Sequence, residues 1–298
     1  MDLVQTYLGE TFALTTAIIW GLAVILFKKS GESVHPIALN TYKNILAFTL
    51  FFLTMLILGE SLFRPVPASD YWLLILSGAL GIGIADTLFF KCLNLIGAGM
   101  TAIVDCLYSP FIISLSLLWL GESFSLIQVL GVVLVLSAVL AATHKKGRGK
   151  VSRRDFFVGL LYGVLGMGTM AVGIVMIKPL LDQSPLLWAT EIRLIGGLIV
   201  LLIVFLFHPQ RKKIAFSAIG GKGWLYTLSG SFLGAYVAMI LWLAGMKYTQ
   251  ASTAAALNQT SNIFIFIFAA IFLKEPLNLI KIVCIVLAII GVLLITFG

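Results

Sequence analysis

The sequence predicts an all-α integral membrane protein, with ten transmembrane helices arranged as two inverted five-helix repeats around a central cavity. Composition is the first ground: 60% of the 298 residues are hydrophobic and only 11% charged, against roughly 45–50% and about 25% in soluble domains. Too little polar surface is available to cover a soluble fold of this size. The second ground is that apolar runs near the about 20 residues needed to span a bilayer recur ten times. The third is that the later runs echo the earlier ones in order.

The runs lie at 10–29, 36–58, 71–95, 99–121, 125–143, 156–178, 185–207, 222–246, 250–273 and 277–297. They are too long and too continuous for tilted barrel strands, so helices are the spanning form. The first follows a start that holds Asp2 and Glu10 but no Lys or Arg, and so lacks the basic region of a cleavable signal. Pro36 opens the second. The third carries Gly81-Ile82-Gly83 ahead of Asp86, and the fourth follows a short turn around Gly97. The fifth is free of charge after Gln128. The sixth holds Gly159, Gly163, Gly166, Gly168 and Gly173, which suits either close helix packing or a bending gate. Pro185 opens the seventh and Pro209 closes it. The eighth starts near Trp224, the ninth holds the cluster Asn258, Gln259, Ser261 and Asn262, and the tenth follows Pro276.

Residues 1–143 read as the first five-helix repeat, 144–154 as a basic linker and 155–298 as the second repeat. Trp72-Leu73 with Ser77-Gly78 recurs as Trp224-Leu225 with Ser229-Gly230. With one residue inserted, Ala98 to Glu122 aligns with Ala251 to Glu275, and Leu126-Ile127 with Leu279-Ile280. His35-Pro36 matches Ser184-Pro185, and Lys43 falls close to the position of Arg193. An odd number of helices per copy sends the second through the membrane in the opposite sense.

The formal charge of +8 could suggest nucleic acid, but its placement argues otherwise. Connections after odd-numbered runs carry Lys28, Lys29, the cluster Lys145, Lys146, Arg148, Lys150, Arg153 and Arg154, then Arg211, Lys212, Lys213, Lys222 and Lys274. Those after even-numbered runs carry only Arg64, Lys178 and Lys247. The bias puts the basic loops in the cytoplasm and both termini outside a cell (inner or plasma) membrane. Cys92, Cys106 and Cys284 sit inside apolar runs and read as small buried hydrophobes. His35, His144 and His208 fall in loops, so no metal site or histidine relay is expected in the bundle. Hydrolase, metalloprotease and nucleotide-binding motifs are lacking, and no cofactor is expected.

Ionisable groups inside spans cost roughly 2.5–3.5 kcal/mol each on insertion scales, so each needs a partner or a wet path. Lys43, Asp86, Lys91 and Asp105 occupy the first half, and Glu191 and Arg193 the second. Lys91 and Asp105 flank the turn at Gly97, where they would either form a structural ion pair or line a substrate path. Asp86 has no partner within its own helix, which makes it the candidate carrier of a coupling proton or a residue hydrogen-bonded in a dry interface. Asn258, Gln259, Ser261 and Asn262 cluster in the ninth run. Under the repeat, Asn258 takes the place of Asp105 and Asn262 that of Ser109, so polar groups converge on the midplane from both halves. Tyr108 and Tyr236, with Trp20, Tyr162 and Trp242, suit cavity walls or ordinary packing. Trp72, Trp119, Trp188 and Trp224 lie near span ends and read as an interfacial belt.

On these features the chain resembles the drug/metabolite transporter superfamily, specifically the ten-helix EamA-type transporters. The matching residues are Trp20-Gly21, Pro110, Leu120-Gly121-Glu122, Gln128 with Gly131, and the echo Leu273-Lys274-Glu275. Two departures stand out: Lys43 replaces the arginine common early in the second helix, and Ile263 stands where the first copy has proline. The resemblance implies a basket-like bundle whose cavity is lined mainly by helices 1, 3, 4, 6, 8 and 9, with helices 5 and 10 peripheral. It also implies small metabolites, amino acids among them, as substrates, often moved outward. The expected function is therefore a secondary transporter, in the exporting direction, of a small polar or amphipathic metabolite by alternating access. Lys43, Lys91, Asp105, Tyr108, Tyr236, Asn258, Gln259 and Asn262 would bind substrate, and Asp86 would carry protons. Its partners would be the small molecule, protons and the lipid bilayer. A flippase for a lipid-linked group is the alternative, and a membrane-embedded enzyme stands behind it.

Overall fold

A computed structural model describes residues 7–120, 125–143, 152–181, 183–218, 223–248 and 257–297. Helices occupy all ten predicted positions: α1 Leu8–Ser30, α2 Pro36–Ile57, α3 Ala68–Ile96, α4 98–120, α5 Leu126–Thr143, α6 Arg153–Val175, α7 Leu186–Phe207, α8 224–248, α9 Leu257–Phe272 and α10 Leu279–Phe297. Among the described residues, eight are long and apolar enough to cross a membrane, while α5 and α9 are apolar but shorter. Gly121, Glu122, Lys222, most of the basic linker and the start of the ninth run lie outside the described residues.

Local chemistry sets the helix ends. Pro36 takes the first position of α2, where its missing N–H matters least, and His35 Nδ1 accepts the Ile37 N–H at 3.3 Å. At α5 the Gln128 N–H bonds Ser125 Oγ at 3.1 Å while the Ser125 N–H bonds Gln128 Oε1 at 3.0 Å, a reciprocal capping box. Asn278, the repeat counterpart of Ser125, caps α10 by accepting the Lys281 N–H at 2.8 Å. Gly97 makes the α3–α4 turn with φ +84°, a conformation side chains disfavour. The Glu275 carboxylate then accepts from the Ala98 and Gly99 N–H groups at 2.7 and 3.0 Å, capping α4 from across the repeat.

The helices α3 and α8 share an irregularity that hydropathy does not reveal. Ala79–Ala85 and Ser231–Val237 are π-helical, and the two segments stand at the Trp72–Trp224 offset of 152 residues. A π segment inserts an extra residue and loosens the backbone ladder. In α3 the Asn40 amide reinforces it from α2, donating to the Ile82 carbonyl at 2.9 Å and the Gly83 carbonyl at 3.3 Å.

Lipid removes the solvent drive for helix pairing, so close packing through small residues holds the bundle. A Cβ at Gly163 of α6 would lie 2.9 Å from Cys92 Sγ on α3, and one at Gly173 would lie 3.0 Å from the Ser77 carbonyl. The helix α6 is unbroken, so its glycines serve close approach here. In the other half Gly230 and Gly234 of α8 receive Phe27 and Ala23 of α1 in the same manner. The pair α5 and α10 meet where Gly131 and Gly291 face each other's carbonyls, while their outer faces expose Leu126, Leu130 and Val286.

One expectation needs correction. Trp188 is not in an interfacial belt: it is 1% exposed, its Nε1–H bonds the Leu62 carbonyl at 2.9 Å, and its ring stands edge-on to Tyr71. The reason is that the connection between α2 and α3 folds over the start of α7, which span-end position alone does not reveal. Trp72, Trp119 and Trp224 are exposed, as a belt requires. The connection after α7 contains the helix Arg211–Ala218.

Candidate functional site

Both halves break a helix at the same place. The helix α4 divides into Ala98–Asp105 and Tyr108–Leu120, with Cys106 and Leu107 between. Pro110 explains the break, because it offers no N–H to the carbonyl one turn before it. In α9 the turn falls at Thr260, ahead of Ser261–Phe272. No proline stands there; instead the Ile263 N–H reaches only the Thr260 carbonyl at 2.9 Å. Asp105 and Asn258 thus occupy equivalent positions just ahead of equivalent breaks.

The two breaks meet through side chains. Asn262 is fully buried, and its amide faces the Asp105 carboxyl. Its Nδ2 also lies 3.5 Å from Cys106 Sγ and 3.4 Å from Gln259 Oε1. The carbonyl oxygens of Asn258 and Asn262 are buried without a hydrogen-bond partner, an arrangement that leaves two acceptors in need of a donor. A narrow crevice between the α9 turn and α10, with room for about one water molecule, is lined by Cys106, Gln259, Thr260, Ile289, Val292 and Leu293.

A track of charge continues from this junction to α7, α3 and α2. Tyr108 lies within electrostatic reach of both Asp105 and Arg193, and Arg193 within reach of Asp86. The Arg193 Nε donates to Ser77 Oγ at 3.1 Å, and Ser77 Oγ donates in turn to the Gly173 carbonyl at 2.5 Å. Asp86 forms an ion pair with Lys43, whose ammonium also stands 5.4 Å from the centre of the Phe90 ring. Asn40 and Asn44 flank Lys43 on α2 and bond one another at 2.8 Å. The track therefore holds two cations and two carboxyl groups.

The sequence expectations divide on this geometry. Asp105, Gln259 and Asn262 are brought together, with Asn258 on the preceding turn and Tyr108 within reach. Lys91 and Asp105 do not form an ion pair; the Lys91 ammonium lies 5.1 Å from the centre of the Tyr162 ring on α6. The turn at Gly97 makes their helices neighbours but directs Lys91 toward α6. Asp86 does have a partner, supplied by α2 rather than its own helix. Tyr236 is engaged elsewhere, with its hydroxyl 2.8 Å from Thr54 Oγ1 and its ring edge-on to Phe51. Arg193 is the member that sequence reasoning did not place in the site; the signal was its repeat relationship to Lys43.

Fold and site together define a multi-pass helical membrane protein with a buried polar track joining two matched halves. Comparison with known proteins gives the class its family. The sequence profile of the EamA-like transporter family matches residues 7–143 and again 157–297, and the chain belongs to that family. It is 24% identical over 266 residues to an uncharacterized transporter of Archaeoglobus fulgidus, covering 89% of this chain and 90% of the relative. A second uncharacterized transporter, from Methanothermobacter thermautotrophicus, is 24% identical over 284 residues, covering 92% and 81%. The uncharacterized transporter YvbV of Bacillus subtilis is 24% identical over 271 residues, covering 88% and 83%. One solved crystal structure superposes with a TM-score of 0.68 at 17% identity, covering 96% of this chain and 95% of the other, which is agreement in fold.

Proposed function

We propose that this membrane transporter exports a small polar or amphipathic metabolite, an amino acid being the representative case, by alternating access. The observation that carries the reading is the meeting of the two helix breaks, where Asn262 of one half lies 3.5 Å from Cys106, next to Asp105, of the other. Broken spanning helices supply free backbone groups and polar side chains at the depth where inverted-repeat transporters bind substrate. Two cations and two carboxyl groups along one track suit a zwitterion: Arg193 and Lys43 for its carboxylate, Asp105 for its ammonium, Tyr108, Asn258, Gln259 and Asn262 for its polar edges. Lys91 and Tyr236 join the wall in a conformation that frees them from Tyr162 and Thr54. Asp86 carries the coupling proton, because protonation would release Lys43 to the substrate. Basic loops face the cytoplasm and both termini lie outside.

Proteoliposome uptake across a metabolite panel, with and without a pH gradient, tests the reading. Asp105→Asn and Asn262→Ala should each lower flux roughly tenfold, the effect of losing one buried polar contact of about 1.4 kcal/mol. Wild-type-like, pH-coupled flux in Asp86→Asn would remove Asp86 from the coupling step. External labelling of a cysteine placed in the 144–154 linker would reverse the orientation.

A further inference from the structure

Glu191 lies on α7, two residues before Arg193, and its side chain is fully buried. Neither of its carboxylate oxygens has a hydrogen-bond partner, and no cation lies within ion-pair distance. None of the described charged groups on the elements packed against α7 lies within ion-pair distance of Glu191. They include Lys178 just ahead of α7, and Glu60 and Arg64 in the 59–67 connection, where Glu60 Oε2 is likewise buried without a hydrogen-bond partner. On α2, Lys43 is held by Asp86 and Tyr42 stands edge-on to Trp224. On α3, Asp70 accepts from Ser69, the Tyr71 hydroxyl bonds the Arg64 backbone, Asp86 is taken by Lys43, and Lys91 sits over Tyr162. Arg193 on α7 itself turns to Ser77. On the helix at the far end of α7, Arg211 bonds the Leu206 carbonyl, and Lys212 and Lys213 are exposed.

An ionised carboxylate in such packing pays a desolvation penalty with nothing to offset it, and uptake of a proton removes the charge. Glu191 sits roughly 8 Å inside the start of α7. One turn closer to that end, Trp188 is tied to Leu62 and set against Tyr71, so the α2–α3 connection covers that end of α7.

We infer that Glu191 is a proton-binding site of the transport cycle, holding a proton in this conformation and exchanging it when the connection 59–67 lifts from α7 and admits water. The inference rests on the transporter reading above. It assigns the proton of this conformation to a group distinct from Asp86, which is neutralised here by a fixed cation.

The full-length protein in liposomes allows two measurements. Infrared difference spectra between acidic and alkaline pH should show the carbonyl band of a protonated carboxylic acid that Glu191→Gln lacks and Asp86→Asn keeps. A band unaltered by Glu191→Gln overturns the inference. If the glutamine variant fails to fold, Glu191→Met, of similar volume, takes its place. The second measurement follows a trapped pH dye during metabolite-driven flux. Glu191→Gln should move fewer protons per substrate than wild type while keeping substrate counterflow, and proton movement equal to wild type overturns the site. Absence of flux in the wild type for every metabolite would defeat the transporter reading, and the infrared band would still decide the proton site.

Discussion

Lys43 and Asp86 lie on different helices, α2 and α3, and form an ion pair beside the π segment of α3. Both side chains are largely shielded, at 7% and 15% exposure. Removing one member strands the other charge, whereas removing both leaves an apolar contact. Lys43→Met or Asp86→Leu alone should destabilise the protein by about 3–5 kcal/mol, and the double variant should recover most of that loss. Thermal unfolding of the four proteins in one detergent measures the coupling, and additive losses would mean that the pair does not act as a unit.

The α3–α7 crossing makes a second prediction. A methyl group on Gly78 would collide with the Arg193 carbonyl, which is backbone and cannot swing aside. At the repeat-equivalent Gly230 the nearest atoms belong to the Phe27 ring at 3.0 Å, which can rotate. Gly78→Ala should therefore cost about 1–3 kcal/mol, and Gly230→Ala clearly less. Equal shifts in melting temperature would contradict the difference.

Lys274 takes a φ of +53°, the left-handed region, where the first copy of the motif has Gly121. A side chain there is strained by roughly 1–2 kcal/mol, which glycine relieves at some cost in unfolded-chain entropy. Lys274→Gly should be neutral to stabilising by about 1 kcal/mol, while Lys274→Val should destabilise. Melting temperatures of both variants check the sign.

His35, between α1 and α2, has its ionisation held below the ordinary value of 6.5, first by burial and then by the neighbouring His208 and Lys91. Its folded state therefore favours the neutral ring. The stability this contributes is complete above pH 6.5 and declines as pH falls from 6.5 toward the lowered folded value. His35→Asn keeps a capping side chain and should flatten that decline. Melting curves across this pH range, wild type against variant, give the comparison; parallel curves would assign the acid sensitivity elsewhere.

How much of this was legible in the sequence depends on the range of each interaction. Span positions followed from hydropathy, because a bilayer sets one length for every helix. The break in α4 was foreshadowed by Pro110, but that in α9 was not, since Ile263 gives no local sign of one. Asp86 looked unpartnered because its cation comes from α2, and a contact between helices leaves no periodic trace. Trp188 was misjudged for the same reason: the chain that covers it is the distant Leu62 connection. The internal alignment set Asp105 against Asn258 and Ser109 against Asn262, so it brought polar groups of both halves near one depth without singling out Asp105 beside Asn262.

The matched π turns give both halves the same tolerance. Each holds one residue more than a regular helix needs, at one offset in the two copies. Deleting a residue from 79–85 would close that wide turn into an ordinary helix and leave Asp86 toward Lys43 and Lys91 toward Tyr162. The same deletion in a regular stretch of a span would swing everything beyond it by about 100°. A single-codon loss is thus absorbed in the turns and disruptive elsewhere.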